Sequence, residues 1–181
     1  MTRKSESLLL FDANVIIHLF KLHIWETVIA RRDVCLGGIV VSEAHFYETD
    51  EGERIDFDLS DYVNAGQVQR FDVLVSETQT FCAKFTPLFS DQIHAGELEL
   101  LVRLSENPSE YHLCSSDAIV FRVLGALDLS EKGLSLEEVL SQTGLGRALP
   151  HQFSRKFRER WTQKGFQEGL RGLGLKDSPL T

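Results

Sequence analysis

The stretch Leu8-Leu9-Leu10-Phe11-Asp12-Ala13-Asn14 gives the clearest indication of the fold in this sequence. Four apolar residues run directly into an aspartate, and a second apolar segment follows Asn14. A short apolar run that ends at a polar residue is typical of a strand buried on both faces of a sheet. In open α/β folds, residues just beyond the carboxyl end of a strand face the ligand-binding crevice. Asp12 is therefore either part of a functional site or the N-cap of the next helix, where Asp and Asn are both favoured.

The overall composition excludes several classes of protein. With 181 residues, the chain can form one domain with a sizeable core and an appendage. Its apolar runs are all shorter than the roughly 18 residues of a membrane span, so no membrane partner is expected. The three cysteines, Cys35, Cys82 and Cys114, are widely spaced and suggest neither a disulfide framework nor a zinc site. These features predict a cytoplasmic protein.

The charge is unevenly distributed along the chain. Residues 1–146 contain 11 Lys and Arg against 24 Asp and Glu, whereas residues 147–181 contain 8 against 3. Residues 48–61 alone hold seven acids and a single base, Arg54, which is typical of a solvated loop or helix face. The pattern indicates an acidic body with a basic tail, and the acidic body argues against broad electrostatic binding of nucleic acid.

Further short apolar segments predict an α/β fold with a parallel sheet. Residues 39–41, 68–74 and 111–115 are expected to be strands, and helical patterns separate them. Strands separated by helices imply right-handed crossovers and parallel pairing. A fifth strand is expected after the helix that follows Asp117, but residues 127–132 contain no convincing candidate. The sequence therefore predicts a sheet of four to five strands.

Three acids occupy equivalent places in this pattern. Asp12 and Asp117 follow predicted strands, and Glu43 follows residues 39–41, in the first turn of a helix that Ser42 is expected to cap. Each acid alone could equally be a cap or a surface residue. Because parallel strands end at one edge of the sheet, however, the three carboxylates can converge there. Converging carboxylates repel one another unless a cation neutralises them, and oxygen-rich sites favour Mg²⁺ or Mn²⁺.

A fourth carboxylate comes from the segment His94-Ala95-Gly96-Glu97-Leu98-Glu99. At 100° per residue, Glu97 lies on the apolar helix face and is expected to face the site. His94 shares that face and is the best candidate among histidines that are otherwise expected to be structural or surface residues. Glu99 lies on the opposite face, four residues before Arg103, and is expected to form a solvent-exposed ion pair with it.

Together these motifs resemble a PIN domain. The resemblance rests on Asp-Ala-Asn at 12–14, Val-Val-Ser-Glu at 40–43, Ala-Gly-Glu-Leu-Glu at 95–99 and Ser-Ser-Asp at 115–117. It covers roughly residues 7–130 and implies a three-layer α/β/α sandwich with metal-dependent ribonuclease activity. The residues that match the family's acidic quartet are Asp12, Glu43, Glu97 and Asp117, with Asn14 and Ser115 as supporting polar groups.

The resemblance implies a Mg²⁺- or Mn²⁺-dependent endoribonuclease that cleaves an RNA substrate. Many members of the family are toxins of toxin–antitoxin pairs, so this chain could be such a toxin. A small antitoxin protein would then be a partner, and a homodimer is expected. Two other interpretations stay open. One is a non-catalytic PIN-like module that binds a protein or RNA, and the other is a metal-dependent phosphatase. Asn14 argues against the phosphatase, which would need a second aspartate two positions after Asp12.

The chain continues beyond the segment that resembles the family. We divide it into a nuclease-like domain at residues 1–133 and a helical, basic extension at residues 134–181. Its last helix alternates aromatic residues with bases, and those expected to bind nucleic acid are Arg155, Lys156, Arg158 and Arg160. Packing of its aromatic face on the domain and docking to a partner are the alternatives.

Overall fold

A five-stranded parallel sheet forms the centre of the computed structural model, which describes residues 7–176. Its strand order is β5-β2-β1-β6-β7, and every neighbouring pair is parallel. A separate antiparallel hairpin is formed by β3 and β4. The strands are β1 (Leu8–Phe11), β2 (Val34–Gly37), β3 (Phe46–Glu48), β4 (Arg54–Asp56), β5 (Gln69–Phe71), β6 (Tyr111–Cys114) and β7 (Gly133–Leu134).

Helices flank the sheet, which confirms the predicted three-layer α/β/α class. Among residues 7–176, no helix combines the length and the apolar character that a membrane span requires. The helices are α1 (Ala13–Lys21), α2 (Trp25–Arg31), α3 (Gly38–Glu43), α4 (Leu59–Asn64), α5 (Val75–Cys82), α6 (Pro87–Ser90), α7 (Ala95–Glu106), α8 (Ala118–Ala126), α9 (Leu136–Gln142) and α10 (Arg155–Leu170).

The first strand is the central one, as its sequence indicates. Leu9, Leu10 and Phe11 are fully buried, since β1 is covered on both faces and hydrogen-bonded to β2 and β6 on its two sides. Burying three such side chains contributes roughly 1.5–3 kcal/mol each. The register of β1 with β6 aligns Phe11 with Cys114, so the two strands end at the same level.

The strand predicted at residues 39–41 is wrong. Val34–Gly37 forms β2 instead, and Gly38–Glu43 forms α3. The β-branched run favours a strand locally, but the carboxylate of Glu99 accepts the backbone N–H groups of Gly38 and Ile39 and so satisfies two of the free donors at the start of this helix. The predicted N-cap role of Ser42 is also wrong, because Ser42 lies near the helix's end.

The fifth strand exists and is only two residues long. Gly133 and Leu134 form β7 and pair in parallel with Leu113 and Cys114 of β6. A strand this short produces no recognisable hydrophobic pattern. The boundary predicted between residues 133 and 134 falls inside β7. That residues 1–133 and 134–181 fold as separate units stays a prediction. Residues 1–6 and 177–181 of those two predicted parts lie outside the described residues.

The basic helix α10 packs directly along α8 at three glycines. A Cβ atom at Gly165 would lie 1.9 Å from the carbonyl oxygen of Arg122, and one at Gly125 would lie 2.1 Å from the carbonyl oxygen of Thr162. At Gly169, the nearest atom would be Cα of Ala126, at 3.1 Å. The two backbones can approach this closely only because side chains are missing at the contact.

An ion pair fixes the same two helices. Arg122 of α8 donates two hydrogen bonds of 2.9 Å to Glu168 of α10, and both side chains are largely buried. Phe153 is buried in the core just before α10, and Phe157 and Trp161 pack against the core. The aromatic stripe of the extension therefore packs on the domain.

We expect Gly165→Ala to destabilise the protein through the contact between α8 and α10. Alanine gains about 1 kcal/mol of helix propensity over glycine, but its methyl group would overlap the backbone of Arg122, and overpacking costs roughly 1–3 kcal/mol or more when the neighbour cannot move. A net decrease in the unfolding free energy should appear in urea denaturation. The control is Gly146→Ala, where a Cβ meets no atom within 4 Å. Equal stability of the two variants would contradict the close packing of α10 on α8.

Candidate carboxylate site

Asp12 lies at the end of β1 and links the two central strands through its carboxylate. Oδ1 accepts the backbone N–H of Val15 at 2.7 Å, which caps α1. Oδ2 accepts the hydroxyl of Ser115 at 2.5 Å and the backbone N–H of Ser116 at 2.9 Å. The residue is 4% exposed. Asp12 therefore acts as a cap and also joins the end of β1 to the loop after β6.

The loop after β6 positions the second aspartate. The backbone N–H of Asp117 donates to the hydroxyl of Ser115 at 3.0 Å, and Asp117 Oδ1 accepts the N–H of Ile119 at 3.0 Å. Asp117 is the N-cap of α8, as its place after the strand predicts. The fully buried Ser115 thus connects Asp12 and Asp117 through one hydroxyl group.

The third carboxylate comes from the first turn of α7. Glu97 Oε2 accepts the backbone N–H of His94 at 2.9 Å, so it caps the helix, and lies 3.5 Å from Nδ1 of the same histidine. One ligand atom each from His94, Glu97 and Asp117 can be chosen so that all three lie within 4.8 Å of one another. This spacing would allow the three side chains to bind one metal ion.

Two carboxyl groups of the site have raised pKa values. Burial raises the pKa of Asp12, and the hydrogen bonds from Ser115, Val15 and Ser116 only partly oppose this. Burial also raises the pKa of Glu97 to about 7, where the hydrogen bond from His94 lowers it and the nearby Asp117 raises it. Both groups are poorly solvated as anions, and a neighbouring cation would stabilise their charged forms.

Glu43 and Asn14 lie on the wall of the same cleft. The cleft has a volume of about 270 Å³ and is lined by Asp12, Ala13, Asn14, Val40, Glu43, His94, Gly96 and Glu97. Of these described residues, none is a lysine or an arginine. A Cβ atom at Gly96 would lie 3.0 Å from Oε2 of Glu43, so the glycine makes room for this carboxylate. Glu43 is exposed and comes from the end of α3, not from a first helical turn as predicted.

The expectation for Glu99 is wrong. Glu99 is 2% exposed, and its two oxygens accept the backbone N–H groups of Gly38 at 3.1 Å and Ile39 at 3.0 Å. Arg103, its expected partner, instead lies over the ring of Phe71. The helical-wheel argument failed because α7 is buried on more than one side, against α3 and α5 as well as the sheet. The pair Gly37-Gly38 was the missed signal, since a Cβ at Gly37 would lie 2.1 Å from Glu99.

The bases predicted to bind nucleic acid lie on α10 in different environments. Arg158 donates two hydrogen bonds to Glu138 of α9, at 2.7 and 2.8 Å, and its side chain is only 14% exposed. Arg155 pairs with Glu159 at 2.7 Å. Lys156 and Arg160 are exposed, and the guanidinium of Arg160 lies over the ring of Trp161. Arg158 is thus occupied within the fold.

We expect Glu99→Gln to lower the unfolding free energy by about 1–3 kcal/mol, the cost of leaving a buried hydrogen-bonding group without its partner. Glutamine offers one acceptor oxygen where glutamate offers two, so its NH₂ group would face a backbone donor. The matched control on the same helix is Glu106→Gln, which is exposed and should change stability by less than about 0.5 kcal/mol. Equal stability of the two variants in urea denaturation would refute the role of Glu99 in stabilising the start of α3.

The raised pKa of Glu97 predicts a pH-dependent stability of the metal-free protein. A carboxyl group whose pKa rises on folding binds more protons in the native state, so its contribution falls as pH increases from about 4.5 to about 7. Glu97→Gln should remove this loss. With EDTA present, the stability of the variant relative to the unsubstituted protein should increase between pH 5 and pH 8, by on the order of 2–3 kcal/mol. A constant difference would contradict the buried position of Glu97.

Comparisons of the chain with family models, with curated proteins and with solved structures give no match. The functional interpretation therefore depends on the arrangement of Asp12, Glu43, Glu97 and Asp117 and on the chemistry of their surroundings.

Proposed function

We propose that this chain is a divalent-metal-dependent endoribonuclease of PIN type, which hydrolyses phosphodiester bonds in RNA. The observation that carries the proposal is the convergence of acidic side chains from separate elements on one edge of the parallel sheet. Asp12 follows β1, Asp117 follows β6, Glu97 opens α7 and Glu43 ends α3. Among the described residues that line the cleft there is no lysine or arginine.

The donor set fits Mg²⁺ or Mn²⁺ as the cofactor. These ions prefer carboxylate oxygens, and Mn²⁺ also accepts an imidazole nitrogen such as that of His94. A carboxylate has about four lone-pair positions, and Asp12 uses three of them for Val15, Ser115 and Ser116. One position remains for a ligand. The raised pKa values of Asp12 and Glu97 also agree with a site whose charge is balanced by a cation.

The side chains have distinct roles in the proposed reaction. Glu97 and Asp117, together with His94 and the neighbouring Asp12, would hold the metal. The metal would lower the pKa of a bound water and stabilise charge on the phosphate. Ser115 keeps Asp12 and Asp117 in fixed positions. Glu43 and Asn14, on the exposed wall, would face the substrate and its attacking water. No covalent enzyme intermediate is required by this set of residues.

The choice of RNA as the substrate depends on the family resemblance and on the basic C-terminal segment. Residues 147–181 carry 8 bases against 3 acids, whereas the cleft itself is acidic. Exposed bases outside an acidic cleft can hold phosphates without competing for the metal. Lys156 and Arg160 are exposed and would contact the phosphates, whereas Arg158 is paired with Glu138.

A non-catalytic interaction module is the alternative, and one observation favours it. Asp12, Glu97 and Asp117 all cap helices, so each has a structural reason to be present without any catalysis. Substitutions that keep the cap but change the charge separate the two functions. Asparagine is as good an N-cap as aspartate.

We expect Asp117→Asn to abolish metal-dependent RNA cleavage while the fold is retained. The asparagine oxygen can still accept the N–H of Ile119, but the variant loses a metal-binding charge. Cleavage of a single-stranded RNA in Mg²⁺ or Mn²⁺ should fall by at least the ~100-fold that loss of a metal-site partner can cost. Mn²⁺ binding, measured by calorimetry, should weaken in parallel.

The matched control is Asp58→Asn. Asp58 is also an N-cap, accepting the N–H of Ser60 at 2.8 Å, but it is exposed on α4 and does not line the cleft. This variant should cleave RNA and bind Mn²⁺ like the unsubstituted protein. Unchanged activity and Mn²⁺ binding in Asp117→Asn would reject the catalytic assignment in favour of the interaction module.

A further inference from the structure

A second concave surface, the aromatic groove, lies between α1, α2, α4 and the β3–β4 hairpin. It has a volume of about 410 Å³ and shares no lining residue with the carboxylate cleft. Half of its ten lining residues are Phe, Trp or Tyr: Phe20, Trp25, Tyr47, Phe57 and Tyr62. Clustering of so many rings around an open groove is a common feature of ligand sites.

The rings form a packed wall. Phe20 stacks on Phe57 with 3.8 Å between the ring centroids and on Trp25 with 5.4 Å. Tyr62 is edge-on to Trp25 at 5.9 Å. Phe20, Phe57 and Tyr62 are only partly buried, so each leaves ring surface accessible. A ligand would therefore meet a pre-organised aromatic surface.

The rim of the aromatic groove is acidic. Glu26 and Asp56 are both exposed there, and no lysine or arginine occurs among the described residues that line it. Glu26 accepts a hydrogen bond of 3.3 Å from the hydroxyl of Tyr62. Asp56 already binds Arg54 at 2.8 Å, which leaves Glu26 as the rim carboxylate available for an incoming cation.

The hairpin already places one guanidinium group between an aromatic ring and a carboxylate. The guanidinium carbon of Arg54 lies 4.1 Å from the ring centroid of Phe46, while Nε contacts Asp56. A cation over an aromatic face beside a carboxylate gains from both the ring quadrupole and the opposite charge. The aromatic groove offers the same two elements, ring surface and the carboxylate of Glu26.

We propose that the aromatic groove binds an arginine or lysine side chain from a basic segment of a protein partner. A protein segment fits better than a small cation, because the acidic surface extends beyond the groove through exposed Glu51, Glu53, Asp58 and Asp61. Several bases along one chain would use that surface. RNA fits poorly, since its phosphates would be repelled by the same acids.

The experiment uses Trp25 as a reporter. The chain contains two tryptophans, so Trp161→Phe leaves Trp25 as the only one. A short peptide of alternating Arg and Gly should change the Trp25 fluorescence in a saturable way that weakens with added salt. Adding Phe57→Leu, which removes a ring but keeps apolar volume, should weaken binding by about fivefold or more. Adding Glu26→Gln should weaken it by about threefold.

The charge control is Glu131→Gln, an exposed acid outside this surface, which should leave the peptide affinity unchanged. Equal affinities for the Glu26→Gln and Glu131→Gln proteins would overturn the proposal. Free arginine binding as tightly as the peptide, or a single-stranded RNA causing the same fluorescence change, would overturn it as well. The readout does not involve RNA cleavage, so failure of the proposed nuclease function and failure of this inference are distinguishable.

Discussion

The buried carboxylate of Asp12 joins the ends of the two central strands, and the geometry of the candidate site depends on it. Its three hydrogen bonds start α1 and hold the loop after β6 against β1. The hydroxyl of Ser115 also accepts the backbone N–H of Asp117 and so fixes the position of that residue relative to Asp12. Hydrogen bonds to a charged group contribute roughly 1.5–3 kcal/mol each. They oppose the desolvation of the buried anion only in part, since burial still raises the pKa of Asp12.

Helix α7 connects the two sides of the cleft through Glu97 and Glu99. Glu97 in its first turn faces Asp117 and His94, whereas Glu99 binds the first N–H groups of α3. The second contact matters for the site because α3 ends with Glu43. The two glutamates of α7 therefore have different roles. Glu97 lies in the cleft, and Glu99 fixes α3, which forms the opposite wall of the cleft. Both carboxyl groups have pKa values raised by burial.

The uneven distribution of charge along the chain gives the molecule a basic surface on α10 and an acidic surface around the β3–β4 hairpin. Helix α10 is basic, but its contact with α8 depends on glycines and on the pair of Arg122 with Glu168. The acidic segment around the β3–β4 hairpin borders the aromatic groove, and the carboxylate cleft is a separate concavity. A metal ion would balance the charge of the cleft, and a basic protein segment would bind beside the hairpin.

Local sequence patterns were sufficient where a residue's surroundings follow from its own segment. The apolar run before Asp12 predicted a strand buried on both faces, and the segment before Asp117 predicted the strand β6. Parallel strands end at one edge, so the convergence of Asp12 and Asp117 could be predicted as well. The nuclease function that follows from the acidic quartet stays a proposal.

Tertiary contacts decided the rest. Residues 39–41 favour a strand by composition, but Glu99, sixty positions away, provides the acceptor that starts a helix there. The same contact buries Glu99, which a single helical wheel had placed in water because it assumed one buried face. The strand β7 is too short for any periodicity and exists because β6 offers it hydrogen bonds. Local preference and periodicity are properties of one segment, whereas burial and pairing depend on partners that only the folded chain brings together.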